Sequence, residues 1–585
     1  MIAASCGGGD DDDDAADVED TAEAPSETTS APQEPTEEET ASEEPAPTAA
    51  PSDEDTEDGS PIVETLPPET VPDPVVGGTL RYGLEADVDG INPTQSALSA
   101  PGLMMGNTVF DTLAAITPDG RAVPYLAESL TPNEDFTQWQ VKLRAGITFH
   151  DGTPLNADAV IVNFESQRAH PLVGLAVAPF FPETGATEKI DDLTVQFNLL
   201  DSNAYFPATV TGQLGMVASP AWLEAALADG TLNQQPVGTG PFRFDSRSQD
   251  SVTRFVRNDG WWGGEVYLDA VEFYPVPDPD TRVDLMLGGE LDALQTTDAG
   301  AVVDLQDDET IQNVLDDSGE ESFAMINSTV PPFDDVRARQ ALAYATPRQE
   351  YVDLIQLGVN RAADGRFIPE SPFYAPDVKQ VGDDPDTAVQ LASEYCNERG
   401  GETNSVTGQP TCTDGKINIE LQWSGPSVVQ TRIAELLDEG WSAAFNVTFD
   451  ELLQDEHIQQ TALGQYNVNT WRQFGADDPS TDNVWLLCRT IGGISLNWPR
   501  FCDEERDALL MAAQATTDAA ERVSLYQQAE QKINEAFTYV FFVHTLWDNA
   551  FAENVHGVCS RMSPEGELLK CASNGRTWFS SVWMD

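Results

Sequence analysis

The chain has 585 residues, with 100 acidic and 29 basic side chains and a formal charge of −71. This length exceeds what one hydrophobic core supports, so at least two lobes are expected. Hydrophobic residues make up 40% of the chain, which is enough to fill such cores. So acidic a surface repels nucleic acid, and no basic stripe offsets it, which excludes nucleic-acid partners.

The N-terminal residues predict a membrane anchor and a tether. Small side chains precede Cys6, an arrangement that resembles a bacterial lipobox, and we predict that residues 1–6 are the remnant of a lipoprotein signal with Cys6 lipidated. Residues 7–76 hold 24 Asp and Glu and no Lys or Arg. This composition predicts a disordered acidic tether, because it cannot bury enough apolar surface. The sequence has no apolar run of membrane-spanning length, so we expect anchoring without spanning.

Six further cysteines lie in the second half of the chain as near neighbours. They are Cys396 with Cys412, Cys488 with Cys502, and Cys559 with Cys571. An even number of cysteines in an exported chain predicts disulfides formed in an oxidising compartment. Pairing of the neighbours is one of several connectivities that remain open. A zinc site is the alternative, and we disfavour a metal because there is no C-x-x-C motif.

The most informative stretch is FTQWQVKLRAGITFHDGTPLNADAVIVNFE at residues 136–165. Alternation over residues 139–143 predicts a strand with one buried face. The sequence FHDG at residues 149–152 predicts a turn, and Asn156 is expected to cap the helix that follows. The stretch is therefore interpreted as one compact strand–turn–helix unit.

This stretch closely resembles the signature of the family 5 extracytoplasmic solute-binding proteins, the peptide- and nickel-type receptors of ABC importers. The turn VGTGPF at residues 237–242 resembles the G-T-G-P-F segment of that family. Further matching segments are spread over residues 77–555. The resemblance implies an α/β, two-lobed fold of the periplasmic-binding-protein type (type II), with an extra inserted domain and a hinge between the lobes.

The resemblance also implies a domain organisation. The first lobe would comprise residues 77–112, 232–292 and 538–585. The inserted domain would span residues 113–231, and the second lobe residues 293–537. The two lobes of such a receptor close on the solute like a hinge.

One loop of the sequence departs from the family pattern. Peptide-binding members carry an Asp three residues after a Trp, and this Asp pairs with the α-ammonium of the ligand. Here the Trp is Trp471, and the corresponding position holds Phe474. Asp477 and Asp478 follow later and are kept as candidate ligand contacts. The departure argues against recognition of a free amine.

Three further side chains are candidate ligand contacts. Trp471 and Trp423 are predicted stacking walls, and Arg472 is a candidate partner for a solute carboxylate because its guanidinium is a planar fork. The alternatives are core positions for the two tryptophans and a structural ion pair for Arg472. His150, in the FHDG turn, is interpreted as a structural residue and not as a catalytic one.

The sequence therefore predicts a lipid-anchored receptor on the outer face of the cytoplasmic membrane. It would act as a monomer without a cofactor, capture a small solute (an oligopeptide by family default) and pass it to ABC permease subunits. Nickel complexes and oligosaccharides remain open as solutes. The sequence lacks H-E-x-x-H, G-x-S-x-G and Walker-type motifs, so no enzyme activity is predicted. A solute sensor for a membrane signalling partner is the alternative, and a secreted hydrolase is a less favoured one.

Overall fold

A computed structural model describes residues 73–96 and 98–585. The predicted lipidation site Cys6 and the predicted tether up to residue 72 lie outside the described residues. Val75 and Val76, at the end of the predicted tether, are exposed. Within the described ranges, no helix combines the length and the apolar character needed to cross a membrane.

The described residues form strands and α-helices throughout. The strands are β1 (Thr79–Leu84), β2 (Ala114–Ile116), β3 (Ala122–Pro124), β4 (Ala127–Pro132), β5 (Gln138–Leu143), β6 (Thr187–Lys189), β7 (Thr194–Asn198), β8 (Phe242–Ser248), β9 (Val252–Arg257), β10 (Ala270–Pro275), β11 (Ala293–Thr296), β12 (Ile311–Asp316), β13 (Glu320–Ile326), β14 (Cys412–Thr413), β15 (Lys416–Ser424), β16 (Phe445–Leu452), β17 (Val468–Phe474), β18 (Tyr539–His544), β19 (Trp547–Ala552), β20 (Val555–His556), β21 (Ala572–Ser573), β22 (Arg576–Thr577) and β23 (Trp583–Met584). The α-helices are α1 (Ala100–Val109), α2 (Ala157–Ala169), α3 (Phe206–Thr209), α4 (Pro220–Ala228), α5 (Pro279–Leu287), α6 (Ala299–Asp307), α7 (Val336–Ala345), α8 (Arg348–Glu350), α9 (Pro385–Arg399), α10 (Val428–Trp441), α11 (Gln454–Leu463), α12 (Glu504–Ala515) and α13 (Ala519–Ala536).

Two large mixed sheets organise the molecule. The first has seven strands in the order β12-β19-β11-β1-β10-β9-β8, and the second has the order β14-β15-β17-β13-β18 with β16 paired to β15. In the first sheet, β1 lies between β10 and β11 and runs parallel to both. In the second sheet, β15 lies between β16 and β17 and runs parallel to both. The carboxyl ends of these parallel strands therefore meet at one edge of each sheet.

The chain crosses between the two sheets twice, at residues 317–319 after β12 and at residues 545–546 after β18. This membership differs from the boundaries predicted from the sequence. Residues 293–316, assigned to the second lobe from the sequence, supply β11 and β12 of the first sheet, and β18 belongs to the second sheet. The reason is long-range pairing, because β11 and β12 both hydrogen-bond to β19.

A four-stranded antiparallel sheet, β4-β5-β7-β6, lies within residues 113–231, the range predicted to be an inserted domain. The side chains of β5 alternate between exposed and buried, which confirms the strand predicted over residues 139–143. The Oδ1 atom of Asn156 accepts a hydrogen bond of 3.0 Å from the backbone N–H of Ala159, which confirms the predicted cap of α2. The buried face of the sheet packs against α2 through Trp139, Phe164 and Phe197.

Three disulfides join the cysteines that are near neighbours in sequence. They are Cys396–Cys412, Cys488–Cys502 and Cys559–Cys571, with sequence separations of 16, 14 and 12 residues. The first two lie in the segment between β13 and β18, and the third lies after β19. Each disulfide therefore closes a short ring within one part of the fold.

Candidate functional site

The candidate site lies where the carboxyl edges of the two sheets face each other. In open α/β sheets, ligands bind in the crevice outside the carboxyl ends of parallel strands. In the first sheet, Glu85 follows β1 and Thr297 follows β11. In the second sheet, Arg472 lies near the carboxyl end of β17. Arg472 donates hydrogen bonds of 2.8 Å to Thr297 Oγ1 and 3.2 Å to Glu85 Oε1, so its side chain spans the crevice.

Two further side chains complete the surroundings of Arg472. Its guanidinium carbon lies 5.1 Å from the ring centroid of Trp547. The indole N–H of Trp547 donates a 3.1 Å hydrogen bond to Glu320 Oε2, which is 3.8 Å from Nε of Arg472. We refer to Glu85, Thr297, Glu320, Arg472 and Trp547 as the cleft cluster.

The charges of the cleft cluster are unequal. Burial disfavours the charged form of Arg472, but Glu85 and Glu320 outweigh it and raise the pKa of the guanidinium. Burial raises the pKa of Glu320, and the charge of Arg472 acts in the opposite direction. Two carboxyl groups thus surround one guanidinium. Arg472, predicted as a partner for a solute carboxylate, is already paired with carboxylates of the protein itself.

The two candidate tryptophans lie on opposite faces of the second sheet. Trp471 is half-buried, and its ring packs 4.6 Å from that of Trp498 and 4.8 Å from that of His457. Trp423 is only 3% exposed and belongs to the core cluster that contains Leu421, on the other face. The structure therefore does not bring them together as one stacking wall.

Asp477 and Asp478 both form ion pairs; Asp478 is buried and Asp477 is half-buried. Asp477 Oδ1 lies 2.7 Å from Lys570 Nζ, and Asp477 Oδ2 lies 3.8 Å from a guanidinium nitrogen of Arg576. Burial alone would raise the pKa of Asp477, but these two cations hold it below its ordinary value. The two oxygens of Asp478 accept hydrogen bonds of 2.8 and 2.9 Å from Arg522. Each of the two carboxylates therefore already has a cationic partner within the protein.

Phe474 occupies the position at which peptide-binding relatives were expected to have an Asp. Its side chain is 8% exposed, and its ring packs 5.8 Å from Phe323 and 5.3 Å from Tyr539. Its backbone φ is 74°, and that of Gly475 is 84°, so two successive residues adopt the left-handed region. Since such backbone strain is costly for a bulky residue, the packing around the ring has to hold the loop in place.

Sequence reasoning missed four members of the cleft cluster, namely Glu85, Thr297, Glu320 and Trp547. Glu85 and Thr297 are polar residues that directly follow buried strands, which is a recognised signal of a site at a sheet edge. This signal identifies a site only when β1 and β11 are known to be parallel neighbours, and the sequence alone does not show this pairing. Glu320 and Trp547 begin the strands that follow the two crossings between sheets.

His150 links the two turns that carry the family resemblance. Its Nε2 atom lies 3.0 Å from the carbonyl oxygen of Gly240, and its Nδ1 atom accepts a 3.3 Å hydrogen bond from the backbone N–H of Gly238. Burial lowers its pKa to about 4. These contacts support a structural role.

Among the described residues, no group of three or more His, Cys, Asp or Glu side chains is arranged to hold a metal ion.

The sequence profile of the bacterial extracellular solute-binding proteins, family 5 Middle, matches residues 121–492, which is well over half of the chain. The chain belongs to family 5 of the bacterial extracellular solute-binding proteins. This confirms the resemblance that was based on residues 136–165 and 237–242.

Curated relatives of this family 5 protein match it over most of their length. Di/tripeptide-binding protein 2 of Pseudomonas aeruginosa is 26% identical over 513 residues, covering 83% of this chain and 93% of the relative. Heme-binding protein A of Haemophilus influenzae is 27% identical over 458 residues, covering 74% of this chain and 81% of the relative.

Solved structures of similar fold include receptors with different solutes. The periplasmic binding protein DppA of Helicobacter pylori, in complex with peptide STSA, has a TM-score of 0.74 and 20% identity, covering 87% of this chain and 98% of its own. NikZ of Campylobacter jejuni, in complex with Ni(L-His), has a TM-score of 0.69 and 19% identity, covering 85% and 97%. These likenesses confirm the predicted two-lobed α/β fold of this family 5 protein.

Proposed function

We propose that this family 5 protein is an extracytoplasmic receptor that captures a small solute between its two lobes and delivers it to an ABC permease. The mechanism is lobe closure without covalent chemistry, in which solute binding shifts an equilibrium between open and closed forms. An oligopeptide is the proposed solute, because several curated relatives are named for dipeptides or tripeptides. Because other similar proteins are named for heme or are bound to nickel–histidine, the experiment below also includes solutes other than peptides.

The observation that carries this proposal is the position of Arg472. It extends from the second sheet and contacts Glu85 and Thr297 of the first. A side chain that bridges the carboxyl edges of two sheets marks the crevice at which open α/β sheets bind ligands. We propose Arg472 and the adjacent Trp471 as solute contacts.

The other predicted site residues receive supporting roles in this proposal. Asp477 and Asp478 anchor the loop after β17 through their own ion pairs, and Trp423 packs in the core on one face of the second sheet. Their substitution should therefore reduce stability more than intrinsic solute affinity.

The domain organisation proposed here follows sheet membership. The first lobe comprises residues 77–112, 232–316 and 547–585, and the second comprises residues 320–544. Residues 113–231 form the inserted domain. We further propose that Cys6 is lipidated and that residues 7–76 tether a monomeric receptor to the outer face of the membrane.

A thermal-shift series on residues 77–585 tests the solute. Free oligopeptides, the same peptides N-acetylated, oligosaccharides and nickel–histidine are compared. A ligand at 100 times its dissociation constant stabilises a protein by about 2.7 kcal/mol, which is an easily measured shift. We expect free and acetylated peptides to stabilise equally, because Phe474 replaces the Asp expected to bind the amine. Stabilisation by none of these solutes contradicts the proposal.

Variants locate the solute. Trp471→Ala and Arg472→Gln should each weaken binding at least tenfold while the far-ultraviolet circular dichroism spectrum is retained. Arg337→Gln is the matched control, because Arg337 forms its ion pairs with Asp335 and Glu398 on the surface of the second lobe. If the control weakens binding as much as Arg472→Gln, the crevice is not the site.

Membrane attachment has its own test. The full chain with a lipoprotein leader and its Cys6→Ala variant are expressed in a bacterial host and fractionated. The parent should sediment with membranes, and the variant should appear in the soluble extracytoplasmic fraction. Equal distribution of the two proteins would reject lipidation at Cys6 without affecting the solute proposal.

A further inference from the structure

Residues 113–231, the range predicted to be an inserted domain, contact helices that pack against the second sheet. The backbone N–H of Ala204 donates a 2.8 Å hydrogen bond to the carbonyl oxygen of Gln514 in α12. The side-chain amide of Gln514 in turn donates a 3.0 Å hydrogen bond to the carbonyl oxygen of Ser202. Ser202 and Gln514 are 312 positions apart in the chain, so the contact is a product of the tertiary fold.

The side chain of Gln514 is fixed within its own part of the fold. It is 3% exposed, and its Oε1 atom accepts a 2.9 Å hydrogen bond from Nδ2 of the buried Asn483. Both groups of the amide therefore have partners. Because an unmade hydrogen bond of a buried polar group is costly, Gln514 provides a specific position at which the loop around Ser202 can dock.

Arg522 of α13 faces the next residue of this loop, Tyr205. The guanidinium carbon of Arg522 lies 3.3 Å from the ring centroid of Tyr205. Arg522 is 7% exposed, and its Nη2 atom also donates to both oxygens of Asp478. A cation over an aromatic ring is attracted to it, and more strongly when both are shielded from water. Because Asp478 lies in the loop after β17, these contacts link Tyr205 to the strand that carries Arg472.

Charged and apolar side chains extend the same contact. Arg489 forms an ion pair with Asp201, and its guanidinium carbon lies 5.7 Å from the ring centroid of Phe180. Phe180 and Leu175 pack against the core cluster of the second sheet that contains Leu510. The contact therefore combines hydrogen bonds, an ion pair and apolar packing.

Residues 113–231 are also tied to the part of the chain that forms the first sheet. The ends of this range lead back to α1 and forward to β8, which both pack in the core of the first sheet. The Nε2 atom of Gln213 donates 2.8 Å hydrogen bonds to the carbonyl oxygens of Pro93 and Ser96. A movement that separates the two large sheets therefore has to pull this range away from α12 and α13.

We propose that Ser202, Ala204 and Tyr205 form, with Gln514 and Arg522, a latch that holds the inserted domain on the second lobe and limits opening of the crevice. This inference rests on the lobe closure of the proposed function and extends it to residues outside the cleft cluster. Opening the crevice breaks the latch, and closing it forms the latch again. Asp478 is a positioning residue, because it holds Arg522 against the ring.

Hydrogen exchange and small-angle X-ray scattering of the solute-free protein test the latch. Tyr205→Leu removes the ring that faces Arg522 and leaves the pair of Arg522 with Asp478 intact. In this variant the amide of Ala204 should exchange at least about tenfold faster, because the loop is released more often, and the radius of gyration should increase. Tyr274→Leu is the matched control, because Tyr274 is a half-buried tyrosine of β10 in the first sheet. It should change neither quantity.

A second variant preserves the test if Tyr205→Leu fails to fold. Asp201→Asn removes the pair with Arg489, whose two side chains are partly exposed, and it should accelerate the exchange of Ala204 by a smaller factor. Unchanged exchange in these variants overturns the proposal. It is equally overturned if exchange accelerates while the radius of gyration stays that of the parent, because the loop then opens locally without opening the crevice. Both measurements are made without solute, so they do not depend on which solute the cleft binds.

Discussion

The Nζ atom of Lys570 lies 2.7 Å from Oδ1 of Asp477, and this pair joins two segments that follow strands of different large sheets. Asp477 belongs to the loop after β17 of the second sheet, and Lys570 belongs to the segment that follows β19 of the first. The next residue in the chain, Cys571, closes the disulfide ring with Cys559. Within that ring, Glu567 also pairs with Arg121 of the inserted segment at 3.0 Å. The ring thus contacts both neighbouring parts of the fold.

Lys570→Met should destabilise the fold by up to about 3 kcal/mol, because it leaves the Asp477 carboxylate, whose side chain is 10% exposed, with only the more distant Arg576 as a cationic partner. We expect a lower melting temperature and a larger radius of gyration by small-angle X-ray scattering. The double variant with Asp477→Asn should recover part of the loss. Lys189→Met, which removes an exposed pair with Asp158, is the control and should change neither quantity. An unchanged melting temperature for Lys570→Met would show that the Lys570–Asp477 pair does not stabilise the fold.

Gly475→Ala should destabilise the fold by several kcal/mol. A Cβ atom at this position would lie 2.6 Å from the carbonyl carbon of Gly319 and 2.8 Å from the backbone nitrogen of Glu320, which form a crossing between the lobes. Gly152→Ala is a matched control, since its φ of 83° is almost that of Gly475 at 84°, with no atom within 4 Å. The control should cost only about 1–2 kcal/mol of backbone strain. If Gly475→Ala and Gly152→Ala lower the free energy of unfolding equally in chemical denaturation, the close approach of the backbone to Gly475 does not matter for stability.

His150→Gln should flatten the dependence of stability on acidity. The pKa of His150 is lowered from 6.5 to about 4 by burial, so between these values the unfolded chain binds the extra proton. The contribution of neutral His150 to the free energy of unfolding is therefore complete above pH 6.5, and it falls as the pH decreases through this window. The variant should lose less stability over this window in urea titrations. The loss of stability caused by the substitution itself is measured at pH 8. If the free energy of unfolding depends on pH in the same way in both proteins, the lowered pKa of His150 is contradicted.

Removing the disulfide Cys488–Cys502 by substituting both cysteines with alanine should cost about 3 kcal/mol, because the short ring restricts the unfolded chain. Intact mass before and after reduction should reveal all three disulfides of the described residues. A loss below about 1 kcal/mol in denaturation would contradict this prediction and would indicate residual structure that already restricts the reduced unfolded chain.

Local features were predictable from the sequence, and pairing between distant segments was not. The alternation over residues 139–143 and the cap at Asn156 depend on neighbours a few residues away, and both were found. Membership of β12 in the first sheet depends on pairing with β19, more than two hundred residues later, and β11 pairs with β19 as well as with the distant β1. No periodicity within residues 293–316 contains that information.

The candidate site shows the same limit. Trp471 and Arg472 were selected by resemblance, yet their contacts come from elsewhere in the chain. Glu85 is separated from Arg472 by 387 positions. Asp477 and Asp478 appeared as candidate ligand contacts because Lys570 and Arg522, which pair with them, cannot be assigned to them from composition. Charge partners of buried acids are a property of the folded topology.

The three disulfide rings have a mechanical consequence. Each spans 12 to 16 residues and lies on one side of the two crossings between the sheets. Oxidation therefore stiffens the lobes individually and adds no covalent link across the joint at residues 317–319 and 545–546. In an oxidising extracellular environment, the disulfides can therefore protect each half from unfolding and proteolysis. The two halves remain free to move relative to each other.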